Sequence, residues 1–253
     1  MSVLWGPFTW SYMLNAMWVS ALVGGVCAFL SAYLMLKGWA LMGDAVSHAV
    51  VPGMAGAYML GLPFAPGAFL SGGLAALAML VLSDRSGLKS DVVIGLIFTA
   101  FFGLGLFMVS LNPMAVSIQT ITMGNILAIT PEDTTQLAII GFVTLAVPLV
   151  KWKDLMVVFF DENHARSIGL HPGLLKGVFF TLLSASEVAA MQTVGAFLVI
   201  ALVVTPGSTA WLLCDRFGRL NALSVAIGTV TSFAGACIRY FLNGATGGVI
   251  LRL

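Results

Sequence analysis

The stretch IGLIFTAFFGLGLFMV, residues 94–109, contains one threonine and no charged side chain. It is apolar on every side of a helix. It also lacks the alternation of about ten residues that a barrel strand requires. LAALAMLVL, residues 74–82, has the same character. Runs of this kind read as membrane-spanning helices of roughly 20 residues. The whole chain agrees: of 253 residues, 60% are hydrophobic and 8% are charged, whereas a soluble domain carries about 25% charged residues. The expected fold is all-α and polytopic in the membrane.

Working outward from these runs, hydropathy predicts about eight spanning segments, at roughly 12–36, 39–60, 64–83, 92–111, 132–150, 174–192, 194–213 and 222–243. NPMAVSIQTITMGNILAITP, residues 112–131, is intermediate in polarity and predicts a short re-entrant or interfacial helix around Met123–Ile129. FLNGATGGVILRL, residues 241–253, is a glycine-rich turn followed by the start of another apolar run. It predicts a further spanning helix missing from this chain. The first ten residues hold no Lys or Arg and no small-residue cleavage site, so no cleaved leader is expected.

The basic residues fall in alternate connections. Lys37 follows the first segment, and Arg85 and Lys89 follow the third. Lys151, Lys153, Arg166 and Lys176 surround the fifth-to-sixth connection, and Arg216 and Arg219 follow the seventh. By the positive-inside rule these connections are cytoplasmic and the N-terminus is periplasmic. The net charge of +1 offers no field for nucleic acid. Cys27, Cys214 and Cys237 form no CxxC and read as small core residues. No GxxxxGK[ST] phosphate loop is present, so any ATPase must be another chain.

Three constellations carry chemistry. The first is GDAVSHAVVPG, residues 43–53. Asp44 and His48 are spaced i, i+4 and share a helix face. An ionisable residue within the membrane costs at least about 2.5–3.5 kcal/mol and is usually functional. Carboxylate and imidazole together suit a divalent first-row metal. Two ligands make a poor storage site but a workable transit site. A structural Asp–His hydrogen bond is the bland alternative. Pro52 removes a donor and clashes with the carbonyl of His48, which predicts a kink beside the pair. Gly53 and the neighbouring small residues permit close helix approach. The second is FFDENHARSIGLHPG, residues 159–173, in the largest cytoplasmic connection. Asp161, Glu162, His164 and Arg166 surround a short helical stretch that Gly169 ends. A solvated loop is the alternative reading. The third is Glu187, a second acid in an apolar segment, which either gates the path or hydrogen-bonds a neighbouring helix.

These residues, together with QTVGAFLVIALVVTPGSTAWLL at 192–213, resemble the permease subunit of bacterial manganese/zinc/iron ABC importers (the ABC-3 type). The resemblance runs from about residue 10 to 253, with the three motifs in order. It implies a type II importer-like fold and a single permease domain over 1–253. It also implies a bacterial inner-membrane location and no resident cofactor. The implied partners are a cytoplasmic ATPase, a periplasmic metal-binding protein and a second permease subunit, identical or related. In such a permease Asp44 and His48 match the metal-coordinating pair, and the segment 161–169 matches the part that touches the ATPase. The VVPG after His48 resembles the manganese/iron branch more than the zinc branch. Two other classes fit less well. An ion-coupled secondary metal transporter would need inverted repeats, and none is evident. An intramembrane protease would need an HExxH or GxSxG motif, and neither is present.

Overall fold

The computed structural model describes residues 10–111 and 131–242. Among these the chain forms eleven helices and no strand. They are α1 (Ser11–Lys37), α2 (Met42–Ala49), α3 (Val51–Met59), α4 (Phe64–Ser86), α5 (Ser90–Leu111) and α6 (Pro131–Val150), followed by α7 (Trp152–Phe160), α8 (Glu162–Ser167), α9 (Pro172–Val194), α10 (Ala196–Leu213) and α11 (Phe217–Leu242). Seven of them, α1, α4, α5, α6, α9, α10 and α11, are long and apolar enough to cross a membrane. The remaining expected segment, 39–60, is α2 plus α3, two short helices meeting at Val50. The helix expected around Met123–Ile129 and the C-terminal stretch 243–253 lie outside the described residues.

Contacts divide the chain into two compact units. The first comprises residues up to Ala32, the stretch ending at Phe142, and residues from Ala189 onward. Here α1 and α11 pack backbone to backbone. A methyl group added at Gly24 would collide with the Gly228 carbonyl and with Ser232, and one at Gly228 would collide with Ala28 and the Gly24 backbone. Ser224, Gly228 and Ser232 recur every four residues, a small-residue face that lets membrane helices approach closely. Ser224 Oγ seals the contact by donating to the Ala28 carbonyl at 2.7 Å. Pro206 lies inside α10, and Ser31 compensates the neighbouring backbone. Its Oγ accepts from the Gly207 amide at 3.2 Å and donates to the Val204 carbonyl at 3.5 Å. Hydroxyl repair of this kind is what makes proline tolerable in a membrane helix.

Among the described residues the second unit comprises Tyr33 to Leu111 and Val143 to Val188, and it contains the candidate site. The α2–α3 pair is wedged against α4 and α5. Gly53 and Gly67 face each other so closely that a methyl group on either would meet the other's carbonyl oxygen. Gly105 of α5 accommodates the Pro52 ring in the same way, and Ser71 Oγ donates to the Ala49 carbonyl at 2.6 Å. The interruption at Val50 is a break in the hydrogen-bond ladder. Pro52 has no N–H to give to the His48 carbonyl, yet Val50 keeps right-handed helical angles (φ −69°, ψ −26°). A second cluster is aromatic. Phe159 packs on Phe179 with centroids 4.8 Å apart, Trp39 on Phe180 at 5.3 Å, and Tyr33 on Phe179 at 5.8 Å.

Candidate metal path and coupling segment

α2 is short because Pro52 interrupts the ladder, and its eight residues carry both members of the pair. His48 Nε2 lies 3.4 Å from Asp44 Oδ1. Two ligands each about 2.1 Å from one ion lie roughly 3–3.5 Å apart, so the pair is already spaced to share one. Both side chains are about one-third exposed, open on one side. Phe98 and Phe102 of α5 meet the imidazole edge-on, with centroids at 5.4 and 5.3 Å, and fix the plane of the ring.

Glu187 of α9 belongs to the same place. It is wholly buried, lies beside Ser47 and within the field of Asp44. Neither of its carboxylate oxygens, nor Ser47 Oγ, reaches a hydrogen-bond partner. Ser47 of α2 is nonetheless close enough to act on the Glu187 carboxyl, so both roles that the sequence allowed, gate and helix-to-helix hydrogen bond, keep a structural basis. Among the described residues no three His, Cys, Asp or Glu side chains converge closely enough to hold an ion together.

The candidate coupling segment is α8 with its flanks. Asp161 is its N-cap, with Oδ1 accepting from the amides of Asn163 (2.9 Å) and His164 (3.1 Å). Such a cap is worth about 1 kcal/mol. Gly169 ends the segment in the left-handed region at φ +83°, where a side chain would be strained. Ala165 is buried, and Glu162, three residues earlier, shares that inward face. Asn163, His164, Arg166 and Ser167 face outward. Phe160, Ile168 and Leu174 add exposed apolar surface around them.

Glu162 lies on the expected segment and is tied to neighbouring helices by two lysines. Lys37 and Lys176 both donate to its Oε1 at 2.6 Å, and Lys176 also reaches Asp84 Oδ1 at 3.1 Å. Burial pushes the Glu162 carboxyl up. The hydrogen bonds and charges of Lys176 and Lys37 outweigh this and hold it below the usual carboxylate range.

The family model for the ABC 3 transport family matches residues 9–253. The chain belongs to that family. It is 60% identical to the chelated iron transport system membrane protein YfeC of Yersinia pestis, over all of this chain and 86% of that protein. It is 45% identical to the manganese transport system membrane protein MntB of Synechocystis sp., over 97% of this chain and 80% of that protein. Among solved structures, PsaBC from Streptococcus pneumoniae in complex with Fab superposes with a TM-score of 0.84 at 33% identity, covering 98% of this chain and 89% of that one. A metal-chelate type ABC transporter in an inward-facing conformation shares the fold, with a TM-score of 0.71 at 17% identity, over 95% of this chain and 82% of that one.

In this ABC 3 permease, sequence reading missed the two phenylalanines that meet His48 and the two lysine partners of Glu162. One signal was present. Lys176 sits in the otherwise apolar HPGLLKGVFFTLL, and a lysine that is 1% exposed must be paired. Counting Lys37 and Lys176 only toward orientation hid that role.

Proposed function

We propose that this chain is the membrane-spanning permease of an importer that carries a divalent transition metal, manganese or ferrous iron, into the cytoplasm. The whole chain acts as one permease domain of the bacterial inner membrane. A separate ATPase supplies the energy, a periplasmic binding protein delivers the ion, and a second permease subunit completes the path. The observation that carries this reading is the Asp44–His48 pair, spaced at 3.4 Å to take one ion. The iron and manganese named for the relatives support the choice of cargo.

Asp44 and His48 replace part of the water shell of the passing ion. Two protein ligands leave most positions to water, so the ion is held weakly enough to leave. Glu187 is the gate: a buried carboxyl ionises most readily when a cation comes beside it, which favours an approaching cation over any neutral solute. Pro52 and Gly53 keep the ladder open beside the pair and let α4 and α5 approach. Asp161, His164, Arg166 and Gly169 shape the surface that meets the ATPase, and Glu162 holds that segment in place. The test is uptake of radiolabelled manganese by cells carrying the whole transporter, with iron, zinc and magnesium as competitors. Manganese uptake blocked by ferrous iron and untouched by magnesium is expected. Uptake that continues without the ATPase chain contradicts the reading.

The N-terminus is periplasmic and residues 151–172 are cytoplasmic, on the alternation of basic residues. A cysteine placed at Asn163 should resist an impermeant thiol reagent in intact cells and react after permeabilisation. Labelling in intact cells reverses the orientation.

A further inference from the structure

The ion set at the base of the coupling segment, centred on buried Lys176, does more than anchor it. Lys37 ends α1, Asp84 lies near the end of α4, Glu162 begins α8 and Lys176 lies in the first turns of α9. Two positive and two negative side chains from four elements thus sum to zero. Lys176, at 1% exposed, has Glu162 and Asp84 as its ion-pair partners. Removing Glu162 leaves Lys37 without this partner and buried Lys176 with Asp84 alone, and breaking a desolvated pair is costlier than never having built it. α8 therefore cannot shift without carrying the ends of the other helices or breaking the set.

The same set reaches toward the metal pair. The ammonium groups of Lys37 and Lys176 lie 5.6 and 5.8 Å from the Trp39 ring centroid, within range of a cation–π attraction. Trp39 is buried and packed on Phe159 and Phe180. Phe159 lies just ahead of Asp161, the cap of α8. On the other side, Trp39 accepts the Met42 amide at 3.1 Å, and Met42 begins α2, the helix of Asp44 and His48. The chain from α8 to α2 is thus one ion cluster, one indole and one short turn.

We propose that Glu162 and Lys176, with Lys37 and Asp84 as outer members, form the joint through which the coupling segment moves the metal-bearing helix. They are positioning residues for transport and lie outside the ATPase contact. This rests on the reading of 161–169 as the coupling segment.

The test uses the complete transporter with its ATPase and binding protein in liposomes. It reads two quantities: yield of assembled complex, and manganese imported per ATP hydrolysed. Glu162→Gln and Lys176→Met should assemble with wild-type yield and lose import per ATP at least about fivefold, the lower end of ordinary coupling between sites. Arg166→Glu, on the outward face, should instead lose the ATPase. An assembled Glu162→Gln complex with the wild-type ratio overturns the joint. Loss of the ATPase from Glu162→Gln also overturns it, since that makes Glu162 a contact. If Arg166→Glu assembles normally while Glu162→Gln is uncoupled, the joint stands and the docking surface is elsewhere. If neither joint variant folds, Lys37→Met, which removes only the partly exposed arm, decides: uncoupling supports the joint and a wild-type ratio overturns it.

Discussion

Glu162 and Glu187 are two glutamates in one unit of the molecule with opposite surroundings. Glu162 is about one-fifth exposed and has two ammonium groups at 2.6 Å on one oxygen. Glu187 is wholly buried and both its oxygens lack a partner. A buried carboxyl without a partner is expensive, so the role proposed for Glu162 rests on compensation and the role proposed for Glu187 on its absence. The lesson extends to Asp44 and His48, which are set close together and open on one side.

The comparison is most severely tested at the pair itself. Asp44→Ala or His48→Ala should reduce metal uptake more than about 100-fold, since loss of even an outer partner of a metal site costs 10–100-fold. Assembly with the ATPase should stay intact. Asp44→Asn keeps the volume and one oxygen but loses the anion, and should fail nearly as badly. Asparagine that transports normally would reduce the pair to a packing contact.

Next in size is the sign of the two glutamates' contributions to stability. Glu162→Leu leaves ammonium groups short of a partner and should destabilise the detergent-solubilised protein by about 3 kcal/mol. Glu187→Leu removes a buried polar group that makes no hydrogen bond by geometry and should stabilise it by roughly 1 kcal/mol or more, while uptake falls. Thermal unfolding midpoints moving in opposite directions are the expected result. Midpoints falling together would erase the distinction.

The smallest effect is on acid sensitivity. The folded-state carboxyl of Glu162 lies below its usual range. Its contribution to stability is present above that range and is lost as pH falls through the depressed folded value. Glu162→Gln should be less stable at neutral pH and lose less on acidification. Equal losses in both proteins would show that the ion pairs do not govern this pH dependence.

Part of this was legible residue by residue. Runs such as 94–109 specify spanning helices because a bilayer demands internal backbone hydrogen bonds and an apolar surface. Asp44 and His48 announced themselves because an ionisable pair one turn apart is conspicuous in an apolar segment. Glu187 was visible as an anomaly, but its nearness to Asp44 and Ser47 was not, because 140 residues of chain separate it from that helix. Glu162 was grouped with Asp161, His164 and Arg166 in the segment matched to the ATPase contact, and its lysine partners were not visible. A six-residue helix is too short for periodicity to say which side is buried.

The sequence by itself determined the class of fold, the family, the i, i+4 pair and the place where proline breaks its helix. All of these depend on composition or on neighbours within one turn. Tertiary structure alone decided which charges are paired. Lys37, Asp84, Glu162 and Lys176 come from four separate elements, and their electrostatics depend on distances of a few ångströms that no local pattern encodes. It also decided burial. The most apolar stretch of α5 is only 17% buried, whereas that of α1 is 83% buried. Lipid and protein interior are equally apolar, so hydropathy distinguishes neither, and only packing says which helix faces which.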